Sequence, residues 1–508
     1  MSFYGDNLRK YIKENGMSVR KLSIETEINR TLLQKYLSGE RLPKNMEEVR
    51  HISRCLMLSP AKQDNLTECY NRSRYGEKRY EGFLMIQDML KGLTDFRMHP
   101  VMLQKEGSRS EKGGVEKEES SGRTGKMGVE KEKNNDRMKE SYACIGALEV
   151  ESALRHILKK QSCMGKNWKL QLIAQPESGN ISRTILSVCA GQNVEVEQII
   201  CLDEETAEGN QNIKIVYNLL PMLFGSIRYQ SLFYYDKKDA HINSMSLLPV
   251  LVLAGDTAMI CNSKMDEALV FCNTESVNFC RRQYQQMKQR TSLLTPCFRD
   301  DVTEWMTFLQ NFMTDLAVAE ICIGSIPCVT YSLDESILKE ILCLGEEGNQ
   351  CLMDIFAKNR ETFLQASDKK APVNIFEESG LRRFMETGRS DEYPDDWYTP
   401  ISPSNRLRML EAMIAMAENR YMDYVMVNPE NLPLDPNLLI YVNENVVFQY
   451  HQDNQLSQYF SVNERGVRQS FQEFVGFAQE NGWLCDTAAT IRRMKEILAE
   501  YREKFEIM

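Results

Sequence analysis

A chain of 508 residues that is 42% hydrophobic has room for roughly two to four domains with sizeable cores, which excludes a disordered or fibrous protein. Its formal net charge is −10, yet residues 1–100 hold 18 Lys+Arg against 13 Asp+Glu while residues 101–508 hold 44 against 59; a nucleic-acid module joined to a larger acidic body has this asymmetry. The start Met1-Ser2-Phe3-Tyr4-Gly5-Asp6 lacks the apolar run of a signal peptide, and the longest apolar stretch, Leu247 to Ala254, is too short to span a bilayer, so the expectation is a soluble cytoplasmic protein with no membrane partner.

The first predicted helix carries Leu8, Tyr11 and Ile12 at i, i+3, i+4 and stops at Asn15-Gly16. Ser18 is the N-cap of a second helix, whose inward face is Val19, Leu22, Ser23 and Thr26. Asn29 caps a third, running through Leu37 to Ser38-Gly39. At about 100° per residue, Arg30, Thr31, Gln34 and Lys35 share one side of that third helix, and Leu32, Leu33, Tyr36 and Leu37 share the other. One side packs and the other is free to make contacts.

From Leu8 to about Leu58 the chain resembles the lambda-repressor/Cro-like (XRE) family of helix-turn-helix regulators. The resemblance rests on Arg20-Lys21-Leu22-Ser23, on Leu33 and Leu37, and on the exit Ser38-Gly39-Glu40-Arg41-Leu42-Pro43. Ser23 stands where the family usually has Ala, and Glu27 where it usually has Gly, so the turn between the two helices falls on a residue for which the left-handed conformation is costly. The resemblance implies that the third helix enters the major groove of double-stranded DNA. Arg30, Thr31, Gln34 and Lys35 are then the base-contacting candidates, Arg30 foremost because a guanidinium bonds bidentately to guanine. Ser18, Arg20, Asn29, Arg41 and Lys44 sit where the family touches phosphate. It also implies a homodimer on two half-sites, because one recognition helix reads only a few base pairs.

Further helices are predicted over Met46–Leu58, from Ser59-Pro60 to about Asn71, and over Tyr80–Leu93. The last carries the stripe Phe83, Leu84, Ile86, Leu90 and Leu93, which either seals the small domain or pairs two copies of it. From about Gln104 to Glu140 the composition collapses into Glu, Lys, Gly and Ser, and Gly114-Val115-Glu116-Lys117-Glu118 recurs as Gly128-Val129-Glu130-Lys131-Glu132. Such a stretch buries too little to order itself and reads as a flexible linker.

Beyond Tyr142 strands alternate with helices: helix Ala147–Lys160, strand Leu170–Ala174, helix Ile181–Ala190, strand Val194–Leu202, a hairpin over Pro249–Cys261 and Glu267–Cys272, and helix Val277–Arg290. A similar succession follows: helix Leu407–Asn419, strand Met422–Val427, a hairpin over Leu438–Tyr450 and Gln455–Ser461, and helix Gly466–Gln479. Without gaps, Leu251 to Ile260 aligns with Leu439 to Phe448, and Val277 to Tyr284 with Val467 to Phe474. The expected fold class is therefore multidomain: an all-α helix-turn-helix domain (1–100), a charged linker (101–140), and a large α/β body read as two similar halves (141–298 and 299–508).

A duplicated α/β unit with a late hairpin and a helix behind it resembles the phospholipase D-like fold, which some helix-turn-helix regulators use as a non-catalytic sensor. That family's signature, His-x-Lys-x4-Asp in each half, is missing: His241-Ile242-Asn243 and His451-Gln452-Asp453 both lack the lysine. The fifteen cysteines include no Cys-x-x-Cys and read as reduced core residues. His51, His99, His156, His241 and His451 do not cluster, so no metal site is expected. Neither phosphate-binding glycine signature occurs, and no cofactor is expected. The expectation is a DNA-binding regulator whose body senses a small-molecule or protein effector and is not an enzyme. The alternative is an enzyme acting on a nucleotide or nucleic acid, with an accessory DNA-binding domain.

Overall fold

The computed structural model describes residues 2–92, 141–164, 167–178, 180–203, 211–225, 227–236, 249–295, 297–298, 319–367, 371–393, 395–452 and 455–506. The stretch expected to be a linker, 101–140, lies outside the described residues, as do His99 and His241.

Six helices open the chain: α1 (Phe3–Glu14), α2 (Val19–Thr26), α3 (Arg30–Ser38), α4 (Met46–Cys55), α5 (Pro60–Tyr75) and α6 (Glu77–Lys91). Their ends follow capping chemistry. The hydroxyls of Ser2 and Ser18 and the amide oxygens of Asn29 and Asn45 accept the backbone N–H groups that open α1, α2, α3 and α4. Gly39 ends α3 in the left-handed conformation. Tyr4, Leu8, Leu22, Leu33, Tyr36, Val49, Ile52, Leu66 and Tyr70 form the core that joins α1 to α5.

The body begins with β1 (Tyr142–Ile145), α7 (Ala147–Ser162), β2 (Trp168–Ile173), α8 (Ile181–Cys189), β3 (Val194–Asp203), α9 (Gln211–Phe224) and β4 (Arg228–Asp236). It continues through the antiparallel β5 (Val250–Ala254), β6 (Thr257–Cys261) and β7 (Glu267–Phe271), then α10 (Thr274–Lys288) and β8 (Ser292–Thr295). β9 (Cys297–Phe298) ends the stretch read as the first half but pairs with the second sheet, and β10 (Ile321–Gly324), a turn of 3-10 helix (Thr330–Ser332), α11 (Glu335–Ile341) and α12 (Glu346–Ser367) follow. β11 (Val373–Phe376), α13 (Glu378–Thr387), α14 (Pro403–Glu418) and β12 (Asp423–Met426) follow. Then come β13 (Leu438–Val442), β14 (Val446–Gln452), β15 (Gln455–Val462), α15 (Arg465–Glu480) and α16 (Thr487–Glu506).

Each half builds one mixed sheet, in the orders β1-β7-β6-β5-β2-β3-β4-β8 and β12-β11-β10-β13-β14-β15-β9. Both orders describe one chain path. Three parallel strands are laid down outward (β2, β3, β4; β10, β11, β12). A fourth then returns antiparallel beside the first, and a meander extends that edge (β5, β6, β7; β13, β14, β15). The edges agree as well. β1 lies on β7 and β9 on β15, while β8 pairs with β4 and Leu484 makes an antiparallel bridge to Val427 just past β12. The body is a doubled unit.

The ungapped alignment of the two hairpins holds on the returning strand and slips by one on the outgoing strand. Leu251, Leu253 and Ala258 face α10 in the first half. The residues that pack with Val467 and Phe471 of α15 are Ile440, Val442 and Val446, whereas Leu439 and Tyr441 point to the opposite face. Two residues, Gly255 and Asp256, join β5 to β6, and three, Asn443 to Asn445, join β13 to β14. One residue more in the loop moves a strand's side chains to the other face.

The stripe of α6 is buried in the body and does not close the small domain. Phe83, Ile86, Met89 and Leu90 are at most 2% exposed and belong to the body's main core. α6 packs on α9 of the first half and α15 of the second. A Cβ at Gly82 would meet Ile213 of α9 at 3.2 Å, so the glycine permits this close approach. Gln87 donates to the Asn431 carbonyl at 2.8 Å, and the Leu90 carbonyl accepts from the Asp435 N–H at 2.7 Å. Burying four such side chains contributes roughly 6–12 kcal/mol before entropy is counted. No helix among the described residues is long and apolar enough to cross a membrane.

Candidate nucleic-acid interface

α2 and α3 are joined by a turn in which Glu27 adopts φ 56°, ψ 13°, the left-handed conformation expected at the position where glycine is usual. Thr26 supports the turn by donating from its hydroxyl to the Leu22 carbonyl at 2.7 Å, and Ser23 donates to the Ile28 carbonyl at 2.7 Å. Ser23 therefore bonds across the turn, which an alanine there could not do.

Arg30, Thr31 and Gln34 are exposed along one side of α3, while Leu33, Tyr36 and Leu37 on the other are at most 8% exposed. Lys35 is less free than its position on the helix suggests, because its ammonium pairs with Glu40 at 2.7 Å. A pair this exposed is worth about 0–1 kcal/mol and yields readily to a stronger anion. Ser18 and Asn29 act as caps, at 3.1 Å to the Lys21 N–H and 2.8 Å to the Thr31 N–H. Arg20 is exposed on α2, and Arg41 and Lys44 are exposed on the exit from α3. That exit is held by Glu48, whose carboxylate accepts from the Tyr36 hydroxyl at 2.9 Å and from the Lys44 N–H at 2.6 Å. All nine residues thus lie on one helix pair and its flanking turns.

The electrostatics of the two helix starts are alike. Neither α2 nor α3 has an acidic residue in its first turn, and both caps are uncharged, whereas α1 starts with Asp6 and α4 with Glu47 and Glu48. The partial positive charge at the N-termini of α2 and α3 is therefore left uncancelled, which suits an anion such as phosphate. Contacts with the body come from other helices. Arg50 donates to the Asn481 carbonyl at 2.6 Å, Asn71 to the Asn481 side chain at 2.8 Å, and Arg74 and Tyr75 to Glu480 at 2.8 and 2.5 Å. Among the described residues, no group of three or more His, Cys, Asp or Glu side chains is placed to hold a metal ion.

No protein-family model matches the chain, and no curated protein matches it in sequence. Among solved structures it is weakly similar to TrmBL2, described as an archaeal chromatin protein with a novel mode of DNA binding: 12% identity over 33% of this chain and 57% of that one, TM-score 0.22. Polyphosphate kinase from Porphyromonas gingivalis matches at 11% identity over 72% of this chain and 53% of its own, TM-score 0.20. Phosphatidylserine synthase from Haemophilus influenzae Rd KW20 matches at 10% identity over 73% and 95%, TM-score 0.22. The chain spans little more than half the length of the first two. Likenesses this weak say nothing about function.

Sequence reasoning had no sign of the fastening to α15 through Arg50, Asn71, Arg74 and Tyr75. Isolated polar residues on α4 and α5 look like ordinary solvated positions, and their partners at Glu480 and Asn481 lie some four hundred residues away.

Proposed function

We propose that the protein is a sequence-specific, DNA-binding transcription regulator of the lambda-repressor/Cro-like (XRE) kind, acting in the cytoplasm as a homodimer. In this reading the helices of 1–100 read DNA. The body over 141–298 and 299–508 is a non-catalytic, phospholipase D-like sensor of an effector. The reading is carried by one observation: α2 and α3 meet at a left-handed turn, start without negative charge, and present Arg30, Thr31 and Gln34 on a face clear of the contacts made to α15. Arg30, Thr31, Gln34 and Lys35 contact base edges, with Lys35 exchanging Glu40 for the DNA. Ser18, Arg20, Asn29, Arg41 and Lys44 position the phosphates, the two caps through groups that capping leaves free: the serine hydroxyl hydrogen and the asparagine amide NH2.

A gel shift on the DNA upstream of the protein's own gene tests this. Arg30→Ala weakens binding roughly 5- to 150-fold and relaxes specificity at one base pair, as loss of a bidentate guanine contact worth about 1–3 kcal/mol requires. Lys35→Ala weakens it further, and circular dichroism of both variants stays unchanged. Unaltered affinity in both variants refutes DNA reading by α3, and phosphodiester turnover by the full chain refutes the non-catalytic body.

A further inference from the structure

The two halves differ in what joins their first two parallel strands. Among the described residues, β2 and β3 are bridged by one helix of nine residues, α8, whereas β10 and β11 are bridged by the 3-10 turn, α11 and the 22-residue α12. The first half completes its sheet without such an addition. In the second half the added chain lies beside α14, and together they form an open groove of about 610 Å³. That is within the roughly 300–1,000 Å³ typical of small-molecule pockets.

α14 buries Met409, Leu410, Met413 and Ile414 and gives Ala412, Ala415 and Met416 to the groove. The two alanines carry nothing beyond Cβ, so a ligand can approach the helix closely. The added chain contributes aromatic rings. Tyr331 of the 3-10 turn and Phe363 of α12 line the groove as a stacked pair, 3.9 Å between ring centroids and 21° between planes. A third ring comes from the end of α14. Arg420 is held left-handed at φ 60°, and the Tyr421 N–H turns back to the Met416 carbonyl at 2.9 Å. Tyr421 lines the groove with its side chain 40% exposed.

Four charged side chains also line the groove: Asp334, Arg360, Arg408 and Glu411. Three of them are paired. Arg408 donates to Asp334 at 2.6 Å, and Glu411 accepts from Arg502 of α16 at 2.6 Å. Asp334 is engaged further as the cap of α11, accepting from the Ile337 N–H at 2.9 Å. Arg360 is the fourth. It is exposed, its guanidinium donates once, to the Leu333 carbonyl at 3.1 Å, and among the described residues no carboxylate pairs with it. The lining therefore keeps one uncompensated cation beside an aromatic surface. A planar guanidinium matches a carboxylate, which it can hold by two parallel hydrogen bonds. Asp334 and Glu411 in the same lining repel a second negative charge, so the groove suits a monoanion better than a dianion.

We propose that this groove is a binding site for a small aromatic monocarboxylate. Arg360 holds the carboxylate, while Tyr331, Met416 and Tyr421 cover the ring. The site stands on the second half alone and does not depend on DNA reading by α3; if the body is the sensor proposed above, this ligand is its effector.

Calorimetric titration of the full chain tests the site. The probes are benzoate, phenylacetate and cinnamate, with their primary amides as neutral counterparts and acetate as an anion without a ring. At least one aromatic acid binds saturably, its amide binds about tenfold more weakly or worse, and acetate does not bind, as a charge-assisted contact joined to ring burial requires. Arg360→Gln weakens binding of the acid about tenfold or more. Ala415→Glu changes an exposed helix position, so it keeps the fold, and it abolishes binding by placing a carboxylate in the groove. Circular dichroism checks that both variants are folded. The proposal falls if no aromatic acid binds at millimolar concentration, or if an amide binds as tightly as its acid. It falls equally if binding survives Arg360→Gln or Ala415→Glu. Because the titration reads binding alone, failure of DNA reading by α3 leaves its outcome unchanged.

Discussion

Replacing Phe83 by alanine should release the N-terminal helices from the body while the body stays folded. Phe83 is 1% exposed. Its ring stacks on Phe477 of α15 at 4.7 Å between centroids, meets Tyr75 edge-on at 5.4 Å and lies 6.4 Å from Phe474. A Phe→Ala change at such a site costs about 3–5 kcal/mol, to which each aromatic pair brings about 0.5–1.5. At about 1.4 kcal/mol per factor of ten, a loss near 4 kcal/mol raises the population of undocked α6 roughly a thousandfold. The partly exposed contacts of Arg74 and Tyr75 with Glu480, worth about 0–1 kcal/mol each, do not replace it. Hydrogen exchange on the full chain measures the effect. Amides of α6 lose up to about three orders of magnitude of protection, while those of β3 keep theirs. Unchanged protection in α6 refutes the argument. Equal losses in α6 and β3 refute it too, because α6 would then unfold only with the body.

Glu197 makes the first half acid-sensitive. Burial acts to raise its carboxyl, but hydrogen bonds from Lys288, Tyr284, Gln171 and Lys169 outweigh that and hold it at about 2. A carboxyl depressed in the folded state contributes stability above its unfolded value, near 4.3, and loses it as pH falls through about 2; the full contribution is on the order of 3 kcal/mol. Urea midpoints at pH 6 and pH 3 should fall steeply for wild type and less for Glu197→Gln, and equal slopes would contradict this account. Glu27→Gly relieves a left-handed residue and should stabilise the helical domain by roughly 1 kcal/mol with DNA affinity unchanged, as a thermal melt and a gel shift will show. A lower melting temperature would mean that the Glu27 side chain, not only its backbone, holds the turn.

The helix ends were legible because they depend on neighbours in sequence. Ser18, Asn29 and Gly39 each satisfy backbone groups within three residues, and Glu27 marked itself as a turn position out of keeping with its conformation. The strands and hairpins of the body were legible for the same reason, through alternation and turn residues. The stripe on α6 announced burial, but Phe83, Ile86 and Leu90 carry no information about which surface covers them. The hairpin slip was hidden because loops that differ by one residue leave the hydrophobic pattern intact. The difference between two buried amides was hidden more deeply. Asn374 in Val373-Asn374-Ile375-Phe376 and Gln198 in Glu197-Gln198-Ile199-Ile200 look alike as single polar residues inside strands. What separates them is Tyr229 and the Ala174 carbonyl, partners the fold supplies to one and withholds from the other.

The position of α6 has a practical bearing on how the chain can be divided. It fills a groove that α9 and α15 jointly create, so a body cut off before residue 141 carries a raw apolar seam across its own middle and invites aggregation. A severed N-terminal piece that keeps α6 carries the matching plug. Supplied as two polypeptides broken anywhere between residues 93 and 140, the parts should find each other and copurify, much as a fragment of an enzyme restores its missing remainder.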